Sequence, residues 1–379
     1  MKLQVTQENL NRALSSVARV ANSRSTLPIL ANVLIKTSNN RLSLSATNLD
    51  IAIAHYIGAK VKEEGSITVP ARLMQDFVGN LPDGVIELDL QETKLHVTTN
   101  QYQSVVNGIV ADDFPVMPAI TVGKNWILPS NLFKKALQQV VFAASGDETR
   151  PVLTGLLLQT SDGVLAMAAT DSYRLAEKQL GKNKQDIELL IPASAMHDLL
   201  RVLGDGDEEI RVTHDEQQVL FQVGDIELVT RLVDGKYPDY RKLIPKTFSA
   251  EATLKRADLI NVTKVSSLFA RESAGSVTIE LSEDATQSDK STGSGKAIEA
   301  TGQLSIRSVA SQLGENTATA TAKVTGSGSI TLNSRYLLDA LGALSGENVT
   351  FGFNGKLEPT LLQNPAADDY RHVIMPLKS

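Results

Sequence analysis

Cysteine is absent from all 379 residues, which excludes disulfides, thiol catalysis and zinc–thiolate sites. Long apolar runs are absent too. Hydrophobic residues make up 42% of the chain but are spread along it, and no stretch nears the roughly 20 residues of a membrane span. The opening segment, Met1-Lys2-Leu3-Gln4-Val5-Thr6-Gln7-Glu8, has no apolar core of the kind a secretory signal requires. A cytoplasmic location is therefore expected, and the Asn-x-Thr triplets at Asn261 and Asn348 carry no glycosylation meaning. An excess of positive charge is also missing: the formal net charge is −6 and the pI near 5.5. A protein that holds nucleic acid by bulk electrostatics is usually basic, so any such role must rest on local positive surface or on topology.

Catalytic constellations are lacking as well. The five histidines, His55, His96, His197, His214 and His372, have no metal-ligand spacing. Gly293-Ser294-Gly295-Lys296-Ala297 imitates a phosphate loop, but Lys290 stands where the first glycine belongs and no Ser or Thr follows the lysine. Gly204-Asp205-Gly206-Asp207-Glu208-Glu209 lacks the ligand spacing of a calcium loop and reads as a solvated turn. The chain is expected to be no enzyme and to need neither metal nor cofactor.

What is present is an internal repeat. Arg12-Ala13-Leu14-Ser15-Ser16-Val17 reappears as Lys135-Ala136-Leu137-Gln138-Gln139-Val140, and Leu27-Pro28-Ile29-Leu30 as Arg150-Pro151-Val152-Leu153. Leu44-Ser45-Ala46-Thr47-Asn48 matches Met167-Ala168-Ala169-Thr170-Asp171. Ile67-Thr68-Val69-Pro70 corresponds to Leu190-Ile191-Pro192 and again to Ile330-Thr331-Leu332-Asn333. Thr47 lies 123 positions before Thr170, and Pro70 lies 122 before Pro192. The third copy is longer, and its surplus sits in the Ser-, Thr-, Gly- and Asp-rich stretch 283–300, an insertion between two strands. Three domains are expected, at 1–120, 121–246 and 247–379.

Each copy reads helix, strands, helix, strands. Leu10, Ala13, Leu14, Val17 and Ala21 form one apolar stripe, with Thr6 as its N-cap. Arg12 and Arg19, seven apart, share a face away from that stripe. In the second helix Leu73, Phe77 and Leu81 form the stripe and Arg72 lies in the first turn. Alternating stretches such as Leu42-Ser43-Leu44-Ser45 and Ile86-Glu87-Leu88-Asp89-Leu90 suit antiparallel sheets with one wet face. The class is α+β, with helices on one side of each sheet.

With its three copies, no cysteine and an acidic balance, the chain resembles the bacterial beta clamp, the beta subunit of DNA polymerase III, along its whole length. The carriers are Thr26-Leu27-Pro28-Ile29-Leu30, Ala169-Thr170-Asp171-Ser172-Tyr173-Arg174-Leu175, Asp234-Gly235-Lys236-Tyr237-Pro238-Asp239-Tyr240, Asn333-Ser334-Arg335-Tyr336-Leu337-Leu338-Asp339-Ala340-Leu341 and Val373-Ile374-Met375-Pro376-Leu377. The resemblance implies a DNA clamp fold and a head-to-tail homodimer, with six repeats in a ring, helices inside and sheets outside. About 12 helices spaced about 10 Å apart give a circle about 38 Å across. Removing one helix diameter of about 10 Å leaves about 28 Å, room for a duplex. The acidic balance then poses no difficulty, because a closed ring needs little affinity.

The resemblance also implies sites. Partner peptides from the replicative polymerase, the clamp loader and repair proteins would enter a groove lined by Leu153, Thr170, Tyr173, Arg174, Leu175, Pro238, Lys242, Leu243, Asn333, Tyr336, Val373, Ile374, Met375, Pro376 and Leu377. Aliphatic walls and a flexible Met suit apolar anchors, and Asn and Arg suit an extended backbone. For duplex DNA, Arg24 and Arg72 match family positions that touch it, and the other candidates for the inner face, from helical phase, are Arg12 and Arg19, then Lys134, Lys135 and Arg201, then Lys264, Arg271 and Arg335; contacts would be to phosphates and without sequence information. The second-repeat loop Gly146-Asp147-Glu148-Thr149 departs from this pattern, because two acids there oppose phosphate contact. Val106, Ile109, Leu268 and Phe269 occupy positions where subunits would meet. A repeat scaffold that binds peptides without encircling DNA is the competing reading; it would not need four arginines on one rim.

Overall fold

The first strand, Lys2–Thr6, buries Leu3 and Val5 and ends on Thr6, whose hydroxyl accepts the Asn9 N–H at 3.4 Å and so caps the helix that follows. Helix α1, Gln7–Val17, buries Leu10, Ala13, Leu14 and Val17 as its 3.6-residue spacing requires. The computed structural model describes the chain except residues 22–26, 116–119, 121–122, 205, 207, 284–301, 311, 313 and 379. Among the described residues there are five further α-helices: α2 (Ala71–Gly79), α3 (Ser130–Val140), α4 (Ala193–Val202), α5 (Arg256–Phe269) and α6 (Ser334–Ala343), so each repeat has two. None of them is long and apolar enough to cross a membrane.

Three expectations need correction. Each repeat opens with a strand rather than a helix: Lys2–Thr6, Lys124–Pro129 and Ala250–Lys255. Each is only five or six residues long and runs straight into a helix, so its alternation is masked by the stronger helical period. In α2 the buried stripe is Ala71, Met74 and Val78, whereas Leu73 is 54% exposed and Phe77 half-buried. The face that packs on α1 and on the strands Asn32–Ser38 and Ser66–Pro70 is one residue out of phase with the expected one. Helix α1 ends at Val17, so Arg19 lies in the turn beyond it rather than on the face of Arg12.

The chain forms two compact units, one of residues 1–134 and 194–232, the other of residues 135–193 and 233–379. The first unit holds a five-stranded sheet in the order Lys60–Glu63, Lys2–Thr6, Val85–Gln91, Lys94–Thr98 and Gln103–Asn107. It also holds an eight-stranded sheet, Lys124–Pro129, Glu209–His214, Gln218–Val223, Ile226–Arg231, Ile51–Gly58, Arg41–Thr47, Asn32–Ser38 and Ser66–Pro70. Helix α1 packs on α2 and on the strands Arg41–Thr47 and Ile51–Gly58. The second unit is built on twelve strands: Glu188–Pro192, Gly155–Ser161, Val164–Thr170, Arg174–Lys182, Ala367–Ile374, Thr360–Asn364, Asn348–Phe353, Ala250–Lys255, Gly314–Thr325, Gly302–Ala310, Ser276–Ser282 and Gly328–Asn333. Helix α5 packs on α6 and on the long hairpin Gly302–Ala310/Gly314–Thr325. Most of the 283–300 insertion lies outside the described residues; the strands on either side of it pair antiparallel, Ser282 opposite Gln303.

In both units the sheet runs from one repeat into the next. The last strand of the second repeat pairs with the fourth strand of the first, Thr230 opposite Ile51. The last strand of the third repeat pairs in the same way with the second, Ile374 opposite Arg174. On the helix side of this second junction, the Tyr370 hydroxyl donates to the Gln139 carbonyl at 3.0 Å and meets His372 Nδ1 at 3.0 Å. The His372 ring stacks on Phe142 at 5.7 Å. Burial, with Arg174 adding to it, pushes His372 down to about 3, so the ring is neutral in the fold.

That histidine makes the second unit acid-sensitive. A folded-state pKa below the unfolded value of about 6.5 means that stability is complete above about pH 6.5 and is lost as pH falls toward 3. By pH 5 the loss from His372 is about 2 kcal/mol. The His372→Leu variant should show a correspondingly smaller drop in urea midpoint between pH 7 and pH 5. An unchanged drop would mean that His372 is not neutral and buried as described.

Candidate functional site

The second unit gathers the expected groove residues at one end of its long sheet. The turn after strand Val164–Thr170 is fixed by its own side chains. Asp171 Oδ1 accepts the Tyr173 and Arg174 N–H groups at 2.9 Å each, the Thr170 hydroxyl donates to the Arg174 carbonyl at 2.6 Å, and it accepts the Ser172 N–H at 3.1 Å. Ser172 sits at φ 79°, a left-handed conformation that this local bonding makes accessible. The turn projects Tyr173 outward, 59% exposed, and sends the Arg174 side chain inward.

Arg174 is 12% exposed and donates from all three of its nitrogens. Its Nε donates to Asp171 at 3.1 Å, Nη1 to Asp339 on α6 at 2.6 Å and Nη2 to the Phe142 carbonyl at 2.7 Å. The guanidinium carbon lies 5.2 Å from the Phe142 ring centre and 4.6 Å from that of Tyr336. A buried guanidinium needs such saturation, since a desolvated charge without partners is costly. Asn333 caps α6, its Oδ1 accepting the Arg335 and Tyr336 N–H groups at 2.9 and 3.3 Å while Nδ2 donates to the Ala274 carbonyl. Its amide oxygen is thus committed to the helix.

The chain end crosses between the two repeats of this unit. The Met375 N–H donates to the Tyr173 carbonyl and the Leu377 N–H to the Thr331 carbonyl, both at 2.8 Å. Pro376 between them has no N–H to satisfy. Met375, Pro376 and Leu377 are half-buried, and Val373 and Ile374 just before them are buried. On the other face of the sheet, Leu153, Leu175, Val373, Leu361, Tyr237 and Tyr240 form one buried cluster, with Ile244 and Phe248 packed against it. Burial and the neighbouring Glu177, which accepts from its hydroxyl at 2.7 Å, push the Tyr240 phenol up. Above the cluster Pro238, Lys242 and Leu243 are exposed, Leu243 by 48%. The arrangement is graded: Leu153, Thr170, Leu175, Val373 and Ile374 form a packed base, Arg174, Asn333, Tyr336 and the terminal residues a half-covered floor, and Tyr173, Pro238, Lys242 and Leu243 a free rim.

The charged candidates are dispersed. Arg12 is exposed and bonds Asn9 at 3.0 Å. Arg19, Arg72, Lys135, Lys264, Arg271 and Arg335 are exposed, and Lys134 is half-buried. Arg201 pairs with Asp198 at 2.7 Å. Arg24 lies outside the described residues. In the 146–149 loop, Asp147 accepts from Thr149 and pairs with Arg150, which holds its carboxyl below the usual range. Of the assembly candidates, Ile109 and Leu268 are exposed, Phe269 is half-buried, and Val106 is buried inside its own sheet, leaving Val105 as the exposed valine of that strand.

Three family models match the chain in order: the DNA polymerase III beta subunit N-terminal domain over residues 1–118, its central domain over 127–239 and its C-terminal domain over 241–378. The chain belongs to the DNA polymerase III beta subunit family. Among its relatives in that family, the beta sliding clamp of Synechocystis sp. is 33% identical over 405 aligned residues, covering 100% of this chain and 99% of the relative. That of Bacillus subtilis is 31% identical, with 100% of both chains covered. The crystal structure of a Pseudomonas aeruginosa sliding clamp bound to griselimycin superposes with a TM-score of 0.91 at 26% identity over 100% of both chains. The Bacillus subtilis sliding clamp superposes equally well, with a TM-score of 0.91 at 27% identity, covering 100% of this chain and 99% of that one.

Sequence reasoning within this family missed several residues that the fold places at the same end of the sheet. Phe142 and Asp339 bind Arg174 from 32 and 165 residues away. Tyr237, Tyr240 and Phe248 close the outer cluster. Leu357, exposed, belongs to the loop that leads into Thr360, which stands opposite Ile374. The Tyr-Pro-x-Tyr spacing at 237–240 was a usable signal for two of them; nothing local marks the others. Asn333→Ala should remove about 0.5–2 kcal/mol of capping. Hydrogen exchange at the Arg335 and Tyr336 amides should then speed up roughly tenfold, and unchanged exchange would contradict the cap.

Proposed function

We propose that this chain is a DNA sliding clamp whose two copies close head to tail around duplex DNA and tether partner proteins through peptides held in the groove. It catalyses nothing itself and works in the cytoplasm. The observation that carries the reading is the ordered match of all three beta subunit domain models across the chain. The three domains correspond to 1–120, 121–246 and 247–379. Among the described residues no second observation favours a scaffold that leaves DNA alone.

The strand pairing supports closure. At each junction within the chain, the last strand of one repeat joins the fourth strand of the repeat before it. That rule leaves two strands over: Gln103–Asn107, the edge of its sheet, and residues 314–322, which pair on one side only among the described residues. A second copy satisfies both. The contact is between two different surfaces, and a closed two-fold ring is the form it takes when the rotation completes. Val105, Ile109, Leu268 and Phe269 lie beside these edges or at the end of α5. The arginines and lysines on the helices and turns supply phosphate contacts that position without reading sequence.

Loaded on circular DNA by its clamp loader, the protein should stay bound at salt that dissolves ordinary electrostatic complexes, and should be lost when the circle is cut. In solution it should run near twice 40.8 kDa. Leu268→Ala with Phe269→Ala should shift it toward monomer and abolish retention. A wild-type monomer at micromolar concentration would sink the ring.

For the groove, the graded exposure of its lining supports peptide docking: each buried apolar anchor is worth about 1.5–3 kcal/mol. Removing Met375 to Ser379 takes away one wall and should weaken binding of a labelled peptide bearing Gln followed by Leu and Phe by more than about tenfold. Full affinity in the truncated dimer would place the partner site elsewhere.

A further inference from the structure

Arg174 is more elaborately held than its turn requires. The first repeat contains the same turn without an arginine. There the Thr47 hydroxyl donates to the Ile51 carbonyl at 2.9 Å and accepts the Leu49 N–H at 3.1 Å, while Asn48 Oδ1 accepts the Asp50 and Ile51 N–H groups at 3.1 and 2.8 Å. Leu49 sits at φ 80°, matching the 79° of Ser172. The strand that leaves this junction is seated in the same way, the Arg231 N–H on the Asp50 carbonyl at 3.0 Å, as Met375 is on Tyr173. Ile51 stands where the second repeat has Arg174. Neither the turn nor the seat of the departing strand therefore needs a guanidinium.

What the second repeat has and the first lacks is a ring held against that guanidinium. The Arg174 guanidinium is held by hydrogen bonds to Asp171, Asp339 and the Phe142 carbonyl, and it lies over the rings of Phe142 and Tyr336. Asp339 follows Tyr336 by three positions on α6, so both project from one helix face. A cation over an aromatic face is attracted more strongly when it is desolvated, and the carboxylate of Asp339 keeps the guanidinium in register with the ring of its own helix. The Phe142 ring also lies against the guanidinium, 5.2 Å from its carbon, and its stacking on His372 keeps that ring from drifting.

We propose that Asp339 and Phe142 are positioning residues for the groove: by locking the Arg174 plane they hold the Tyr336 ring as a fixed wall for an apolar peptide anchor. The proposal rests on the peptide-groove reading above. It assigns to the partner a side chain that packs flat on Tyr336, an aliphatic or aromatic anchor rather than a charged one. Preorganisation of this kind acts by removing an ordering cost from binding.

A double-mutant cycle tests it, with the labelled Gln-Leu-Phe peptide titrated into the full-length dimer. Asp339→Asn and Phe142→Leu should each weaken binding about 5- to 20-fold, and Phe142→Tyr, which keeps a ring face, should bind as wild type. In a Tyr336→Leu background, itself weakened, Asp339→Asn should add less than about twofold, because its effect travels through the ring. Exchange at the Leu337 to Leu341 amides should match wild type in the Asp339→Asn and Phe142→Leu chains, which separates positioning from loss of α6. Full affinity in Asp339→Asn beside weakened binding in Tyr336→Leu overturns the positioning role and leaves the groove standing. Equal losses from Asp339→Asn with and without Tyr336 also overturn it. Full affinity in every variant, Tyr336→Leu included, overturns the groove reading together with this inference.

Discussion

The structure depends on one pairing rule, in which the last strands of the second and third repeats add to Ile51–Gly58 and Arg174–Lys182, the fourth strands of the repeats before them. Backbone hydrogen bonds make this join insensitive to side-chain identity, so the three copies could diverge while the sheet stayed continuous. In the second unit the rule lays Ile374 beside Arg174, and the chain end must then leave the sheet beside the 170–174 turn. The candidate groove is a consequence of that exit. Its floor exists because Met375 and Leu377 find carbonyl partners on two different repeats.

Charge burial does the rest at this junction. Strand Arg174–Lys182 carries Glu177 and Lys178 inside, Glu177 bonded by the Tyr240 hydroxyl and Lys178 paired with Asp369. Arg174 adds a third desolvated charge with Asp171 and Asp339 around it. Buried ionic groups of this kind add little net stability against apolar replacements, but removing one partner is costly. Lys178 is the registration mark among them: its partner Asp369 lies on the last strand, and a one-residue slip of that strand would carry the carboxylate away from it. This explains how a join made of generic backbone bonds is nevertheless held in a single register.

Much of this was legible in the sequence, for identifiable reasons. The repeat and the α1 stripe could be read because Leu10, Ala13, Leu14 and Val17 follow one period without interruption. The opening strands could not, since Leu3 and Val5 supply too short an alternation beside a strong helix. The α2 stripe came out one residue off because Leu73 and Phe77 are as apolar as Met74 and Val78, and only the packing on α1 and the adjoining strands decides between the two phases. At the candidate site, Thr170, Tyr173, Arg174 and the terminal run were expected through family resemblance, while Phe142 and Asp339 were not. Their partnership with Arg174 is a tertiary fact across 32 and 165 residues, invisible to any local pattern. The cap formed by Asn333 was also legible, since an Asn before an apolar helix is a capping pattern.

The net charge of −6 fits this division of labour. If partners are held by apolar anchors and DNA by closure, neither task calls for a basic protein, and the positive groups need only be placed where phosphates pass. Their states differ accordingly. Arg201 is tied to Asp198 and Arg12 to Asn9, whereas Arg174, with three acceptors and two rings around it, is turned into the candidate groove and away from any role as a mobile counter-charge. An arginine locked by three acceptors and two rings cannot follow a sliding phosphate, but it can fix a surface. A ring that must move along DNA while gripping its partners needs loosely held charges for the first task and rigid ones for the second, and the second unit carries both kinds, exposed Lys135, Lys264, Arg271 and Arg335 beside the enclosed Arg174.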